Sequence, residues 1–419
     1  MLQATGNFLE AITANCRDVG LKIAYNYNGQ ACYIEGQEIK EVSYTSQGKK
    51  ELGCIVLKVA DINLNITDNT KKLKNGDFID LFYQCGNGES QTDVFYVSSL
   101  KTKSNSIVIQ AVDLLTYLVE NSNNTKMSLM KNTDLITYVE SIISSIRLKC
   151  DIDNNVVNPS LSLAYPKSTK IDDTFREIAI AMNACITFGR TSRNGAYLPF
   201  NLPKMLDERL IGMKAKKFCF SEPWATIDSW ISYTISDDST DKYSSTNVCT
   251  YFPTQGEQVS IGKMQAIVPA NTFGYNTGTI SFGQTCIPQI AKFTGKVDVS
   301  SYTLGSDSCS FSFNNTSVIS QDVECEFLGL NISNATTVDS STDNTNNIKV
   351  VNNMYIQSAA VYDTRIYENN NIDIHYFGNP CIEVGDTISI DGMIVLVVEH
   401  TLKYTGGLKG IIKGVVLNE

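Results

Sequence analysis

His375 and His400 are the only imidazoles in this 419-residue chain. Both lie in alternating apolar runs that read as strands. Nucleophilic catalysis of the Ser-His-Asp or Cys-His kind needs an imidazole beside the nucleophile and a third group to orient it. Two strand-borne histidines leave such a site almost no material, and His400 beside Glu399 reads as a strand residue rather than a base. Neither histidine belongs to a His/Cys cluster at zinc spacing. The twelve cysteines stand singly, none in C-x-x-C. Most lie in apolar runs such as "GCIVLKV" and "ACITFG", which suits small buried thiols in a reducing compartment. Their even number leaves a disulfide framework open.

Other motifs are incomplete. "DIDNNV" (151–156) begins like a calcium loop, with Asp151, Asp153 and Asn155. Val156 stands where that loop needs Gly, and the Glu six residues later is missing. No G-x-x-x-x-G-K-[ST] and no strand-linked G-x-G-x-x-G occurs, and "TGGLKG" is hairpin chemistry. Carboxylates are plentiful, but no pair stands out as a glycosidase couple. Trp224 and Trp230 in "EPWATIDSW" have the rings to stack on a sugar, and core packing competes for both. "NNTS" and "NISNAT" contain N-x-[ST] sequons in an Asn/Ser/Thr-rich chain. No catalytic residue, metal ligand or cofactor is assigned, and the chain is expected not to be an enzyme.

The composition bounds the class of protein. At roughly 150 residues per domain the length suggests about three domains, and 42% hydrophobic residues can fill real cores. A formal net charge of −10 argues against a basic nucleic-acid-binding face. No run of 18 apolar residues predicts a membrane span. The first twenty residues lack the basic head and apolar run of a secretory signal.

The elements that would position any site are mostly strands. Residues 7–14 read as a short helix with Asn7 as cap. Strand patterns follow in "GLKIAY", "ACYIEG", "CIVLKVADINLNI", "DFIDLFY", "VFYVSSL" and "SIVIQAV", so 1–112 reads as a small β-barrel or sandwich. Residues 113–201 read as an α+β insert. One helix there is capped by Thr133 or Asp134 and buries Leu135, Val139, Ile142, Ile143 and Ile146. A second is capped by Asp172 or Asp173 and buries Phe175, Ile178, Ala179 and Met182. "ACITFG" and "AYLPF" are expected to pair around Asn194-Gly195. Residues 202–349 are a β-rich middle with little regular pattern, and 350–419 return to clear strands. The fold class expected is mainly β with an α+β insert.

One phrase occurs twice. "NGDFIDLF" (75–82) and "VGDTISID" (384–391) both place a Gly-Asp turn before an alternating strand. Gly76-Asp77 and Gly385-Asp386 are the turn pairs, and Ile79 and Leu81 correspond to Ile388 and Ile390. Each copy is followed by a β-rich run, a Leu-Lys (Leu100-Lys101, Leu402-Lys403), a polar turn and another β-rich run. The turn is "KSNS" in the first copy and Gly406-Gly407 in the second. The two copies are expected to share a fold, with equivalent turns.

With these pieces assembled, the chain resembles the tail-hub proteins of tailed phages and related contractile particles. The likeness is to the baseplate hub and to the N-terminal module of the tail-associated lysin, or prophage endopeptidase tail, family. Four stretches carry it: "NFLEAITANCRDVGLKI", "SIVIQAVDLLTYL", "DDTFREIAIAMNACITFGRTSRNGAYLPF" and "GNPCIEVGDTISI…LVVEHTLKYTGGLKG". Together they cover roughly half the chain; 202–349 matches nothing in the family.

The resemblance implies two tail-tube-like β-barrels in one polypeptide, the second closed by 350–419. It implies a homotrimeric ring that joins a six-fold tail tube to a three-fold tip and lines the path of DNA, which passes without specific binding. Implied neighbours are tail tube or distal tail proteins, a central tail-tip or spike protein and the tape measure protein. The implied place is the tail tip or baseplate of a virion, after assembly in the host cytoplasm. Many members continue into a peptidase or lysozyme module, whereas this sequence ends at "KGVVLNE", which removes the usual basis for an activity. Two rival readings are a receptor- or carbohydrate-binding tail-tip protein and a cell-wall hydrolase.

Overall fold

A computed structural model describes residues 4, 6–14, 17–48, 54–121, 130–134, 136–137, 139–140, 149–152, 160–163, 172, 175, 178–179, 184–190, 211–217, 223, 225–227, 230–236, 248–251, 258–282, 286–304, 308–331, 336–339, 354–356 and 370–417. The fold is mainly β.

The first 121 residues form α1 (Phe8–Thr13), β1 (Val19–Tyr27), β2 (Gln30–Glu35), β3 (Ile39–Gln47), β4 (Cys54–Leu64), β5 (Phe78–Cys85), β6 (Gly88–Lys103), β7 (Ser106–Val112) and α2 (Leu114–Asn121). All six strand patterns read here from sequence are strands. β3 escaped that reading: a bulge between Ile39 and Glu41 opens it, and Val42 and Tyr44 are its only apolar residues after that. Its apolar residues Ile39, Val42 and Tyr44 do not keep period two across the bulge. Asn7 holds the N-cap position of α1 but does not cap it with its side chain. Instead its Oδ1 accepts the Asn87 N–H at 3.1 Å, and its own N–H donates to Asn87 Oδ1 at 3.2 Å.

Of nine later strands in the same sheet, five make its second half: β8 (Trp230–Ser236), β9 (Asn371–Tyr376), β10 (Thr387–Ile390), β11 (Met393–Tyr404) and β12 (Leu408–Val416). Neighbours run β8-β9-β12-β11-β3-β4-β7-β6-β5-β1-β2, with β10 beside β11. The second half of the sheet thus draws β8 from the middle region. Two apolar cores lie along it. One centres on Ile23, Tyr25, Ile79, Leu81, Tyr83 and Phe95 and also takes Leu402, Tyr404 and Leu408 from the second half. The other centres on Ile372, Ile374, Ile388, Ile390, Val395 and Ile412.

The insert matches expectation in part. Thr133 and Asp134 end a strand, Met130–Asp134, that pairs with Ser160–Leu163; Ile136, Thr137, Val139 and Glu140 beyond it are helical. Asp172 lies inside its helix rather than before it, and Phe175, Ile178 and Ala179 are fully buried as expected. Leu135, Ile142, Ile143, Ile146, Asp173, Met182 and "AYLPF" fall outside the described residues. Strand Ala184–Arg190 pairs antiparallel with Ile211–Lys217 and parallel with Cys54–Val56 of β4.

The middle region is more regular than its sequence. Val259–Val268, Gln321–Asn331 and Cys286–Thr294 make one three-stranded sheet, and Thr272–Ser281, Ser308–Asn315 and Asp298–Leu304 make another. Phe282, Phe311, Phe313, Cys325 and Phe327 form their common core. Register shifts in four of these strands blur the alternation that a sequence reading needs.

Candidate functional site: a duplicated sheet unit and its two open edges

The two Gly-Asp turns have the same wiring. Gly76 and Gly385 have φ of +91° and +87°, a region that favours glycine. The Gly76 N–H donates to Val97 O at 2.9 Å and the Gly385 N–H to Val397 O at 2.8 Å. In return the Val97 N–H donates to Asp77 O and the Val397 N–H to Asp386 O. The Asp77 carboxylate accepts the Lys74 N–H, and that of Asp386 the Glu383 N–H, each at 2.8 Å. Each Asp closes its own turn with its side chain, by accepting the backbone N–H three residues before it. Ile79, Leu81, Ile388 and Ile390 are all fully buried.

The likeness extends through four ladders. β6 pairs β7 with a bulge between Val97 and Ser99; β11 pairs β12 with a bulge between Val397 and Glu399. β3 pairs β4 with a bulge between Ile39 and Glu41; β8 pairs β9 with a bulge between Trp230 and Ser232. Ile62 faces Ile109 across β4 and β7, and Ile374 faces Ile412 across β9 and β12. Aligned on the bulges, β3, β4, β5, β6 and β7 correspond to β8, β9, β10, β11 and β12. Leu100 then corresponds to His400 rather than to Leu402, so the shared Leu-Lys dipeptide lies two residues out of register. The bulge, not the dipeptide, sets the alignment, because a bulge shifts every later side chain.

The units differ in what flanks them. Beside Ile79 runs β1, antiparallel to β5; beside Ile388 runs the short strand Ala225–Thr226, parallel to β10. On β11, residues 399–404 pair with β3 beyond the Gly-Asp turn, joining the halves into one sheet. Thr45 Oγ1 and Thr401 Oγ1 lie 3.2 Å apart there, and Lys403 pairs with Glu41 at 2.7 Å. Among the described residues no strand covers the corresponding edge of β6 at 99–103, nor the outer edge of β8.

Buried polar groups hold this frame. Lys58 of β4 and Asp93 of β6 form an ion pair, both almost wholly buried. Asp113 caps α2 through Oδ1, which accepts the Thr116 N–H and hydroxyl at 3.0 and 2.7 Å. Its Oδ2 is buried without a hydrogen bond, and burial pushes its carboxyl up to about 6. His400 is fully buried. Its Nδ1 bonds Ile382 O at 3.0 Å and its Nε2 bonds the Tyr376 hydroxyl at 2.8 Å, which in turn accepts the Asn379 N–H. Burial lowers His400 to about 4, so the imidazole is neutral. Arg17, after α1, donates to the carbonyls of Ile12, Phe377 and Gly378 and lies over the Phe377 ring, fastening the chain's start to the second half.

The sequence candidates for chemistry do not converge. His375 is exposed on β9, opposite Ile411. Asp151 lies in a strand, opposite Lys214, rather than in a cation loop; Asp153 and Asn155 fall outside the described residues. Among the described residues no cluster of His, Cys, Asp or Glu has the spacing to hold a metal, and no helix is long and apolar enough to cross a membrane. Trp224 lies outside the described residues and Trp230 opens β8. Asn315 of "NNTS" is fully buried, its amide donating to Val268, Pro269 and Ile319 carbonyls. Cys32, Cys85, Cys185, Cys309, Cys325 and Cys381 are free thiols.

No family model matches the chain, and no curated protein matches it. Among solved structures it is similar to the 43 kDa tail protein of prophage MuSo2 from Shewanella oneidensis, at 9% identity and a TM-score of 0.48 over 94% of this chain and 98% of that one. It is also similar to a tail protein from Neisseria meningitidis, at 8% identity and a TM-score of 0.45 over 94% and 96% of the two chains. A third is the E. coli c3393 protein, a component of the type VI secretion system structurally similar to T4 bacteriophage tail proteins gp27 and gp5. It matches at 8% identity and a TM-score of 0.38, over 91% of this chain and 74% of that one.

Proposed function

We propose that this chain is a structural, non-enzymatic hub of a phage tail, a homotrimeric ring that joins a six-fold tail tube to a three-fold tip. The observation that carries the reading is the duplication: two sheet units in one chain, with the same Gly-Asp wiring and the same two bulges. A three-fold ring can meet a six-fold neighbour only where each chain offers two similar surfaces. The four stretches that resemble tail hubs add support. Its neighbours would be the tube or distal tail protein, the tip or spike protein and the tape measure protein, with DNA passing through unbound. Negative-stain images of the purified chain test this, with a ring of three-fold symmetry as the expected result. A particle without a three-fold axis overturns it. Zymography on peptidoglycan tests the non-enzymatic part, and no clearing is expected.

A second reading concerns the middle sandwich. Phe273, Val318 and Ile319 project into solvent around its 269–272 and 316–320 turns, where the Asn271 N–H is bonded to Ser317 O. Exposed apolar groups on a braced end suit a receptor-binding tip. Binding of the chain to host cells or a glycan array, lost in Phe273→Ser, tests it.

A further inference from the structure

We propose that the outer edge of β8 in one chain pairs antiparallel with residues 99–103 of β6 in a second copy, with Lys101 opposite Ser236, Thr102 opposite Ile235 and Lys103 opposite Thr234. The proposal rests on the reading that several copies assemble, and adds which edges meet and in what register.

The template is the chain's own junction. β11 pairs with β3 so that Thr401 faces Thr45, Leu402 faces Tyr44 and Lys403 faces Ser43. The bulges equate β11 with β6 and β3 with β8, placing Lys101 with Thr401, Thr102 with Leu402 and Lys103 with Lys403. They likewise place Thr234 with Ser43, Ile235 with Tyr44 and Ser236 with Thr45. Each half therefore owns one piece of the same joint. Inside the chain one pair of pieces is engaged. The other pair, β6 and β8, lies at opposite ends of the strand order and is not engaged among the described residues.

Exposure follows the same logic. Tyr44 is 5% exposed beneath its β11 partner, whereas Ile235 at the corresponding place is 44% exposed. Ile231, on the same strand, is 51% exposed. Leu402 is fully buried against β3, whereas Thr102 lies open. An open strand edge that shows isoleucine to water offers unpaired backbone groups together with apolar area, and natural sheets cover such edges. The complementary edge lies on the same polypeptide but faces away, so the contact is head to tail, and repeated rotation closes it into a ring.

Cysteine cross-linking of the full chain tests the register. Directly opposed strand residues lie about 4.5–5.5 Å apart at Cα, within disulfide reach. Lys103→Cys and Thr234→Cys chains are mixed and oxidised, with each single variant alone measuring the background from native cysteines. The expected product is a covalent dimer, at least tenfold above that from Lys101→Cys mixed with Thr234→Cys, which is two residues out of register. Ser43→Cys with Lys403→Cys in one chain gives an internal bridge without a mass change and calibrates the chemistry. Ile235→Lys, at a position already exposed in the single chain, is expected to weaken association at least tenfold with an unchanged melting temperature. A multi-chain ring in which the in-register pair cross-links no better than the shifted pair overturns this edge and leaves the hub reading standing. A chain that stays monomeric under every assembly condition overturns both.

Discussion

Val97 and Val397 occupy the same position in two copies of one turn: each donates its N–H to an Asp carbonyl, accepts a Gly N–H, and precedes a one-residue bulge. Two hydrogen bonds and a bulge fix the register of everything that follows on β6 and β11. The side chains beyond can then differ, as Leu100 differs from His400, without changing the frame.

Ile388 lies at the centre of the second core and Ile79 at the matching place in the first. Ile388→Asp puts an unpaired carboxylate among Ile374, Val395 and Ile412. A loss of about 4 kcal/mol or more is expected, with failure of ring assembly. Urea unfolding and particle mass measure the two effects.

Lys58 and Asp93 stabilise the sheet only as a pair. Lys58→Met leaves a buried carboxylate without its cation and is expected to cost about 3–5 kcal/mol. Lys58→Met combined with Asp93→Leu is expected to recover most of that. A double-mutant cycle by denaturant unfolding checks it, and additive losses would contradict it.

The neutral His400 makes stability fall on acidification. Its value in the folded chain is about 4, below the ordinary 6.5. Its contribution is therefore full above pH 6.5 and is lost as pH falls toward 4, by up to about 3 kcal/mol. Unfolding free energies at pH 7 and pH 4.5 are expected to differ more in the wild type than in His400→Gln.

Asp113 works in the opposite direction. Its carboxyl is raised to about 6 by burial, so its contribution is full below the ordinary 3.8 and is lost as pH rises through 6. Asp113→Asn keeps the oxygen that caps α2 and removes the ionisation. Relative to this variant, the wild type is expected to lose stability between pH 4 and pH 7, by about 1–3 kcal/mol. An unchanged difference across that range would mean that the carboxyl does not titrate there.

The cysteines are expected to be reduced. Denaturing thiol titration without reductant should count close to all twelve; a count near zero would mean a disulfide framework.

Strands whose alternation is unbroken were legible in the sequence, "VADINLNI" above all, and so were the Gly-Asp turns, whose chemistry is local. β3 and β8 were not, because their few apolar positions (Val42 and Tyr44; Ile231, Tyr233 and Ile235) alternate with Ser and Thr, which suit a loop as well as a strand. Long-range pairing was also invisible. Nothing in "IKEVSYTSQ" says that it will lie against "EHTLKY", since that choice depends on which edges remain open once each unit has formed. The strand that ends at Thr133 and Asp134 was equally invisible, since it depends on the distant partner Ser160–Leu163. The buried role of His400 depends on Tyr376 and Ile382, brought to it by the ladder.

The last strand residue of β8, Ser236, lies directly opposite the first of β9, Asn371. Everything between them, including the sandwich, leaves and re-enters the ladder at neighbouring points, where the first unit has only residues 48–53 between β3 and β4. Apart from Met354–Ile356, which pairs with Leu161–Leu163 of the insert, this cassette can be lengthened, trimmed or exchanged at little cost to the ladder, because loop closure depends only weakly on length. Selection on whatever the sandwich meets can then proceed almost independently of selection on the frame. A lineage could renew this part repeatedly while every rung from β3 to β12 stays in register.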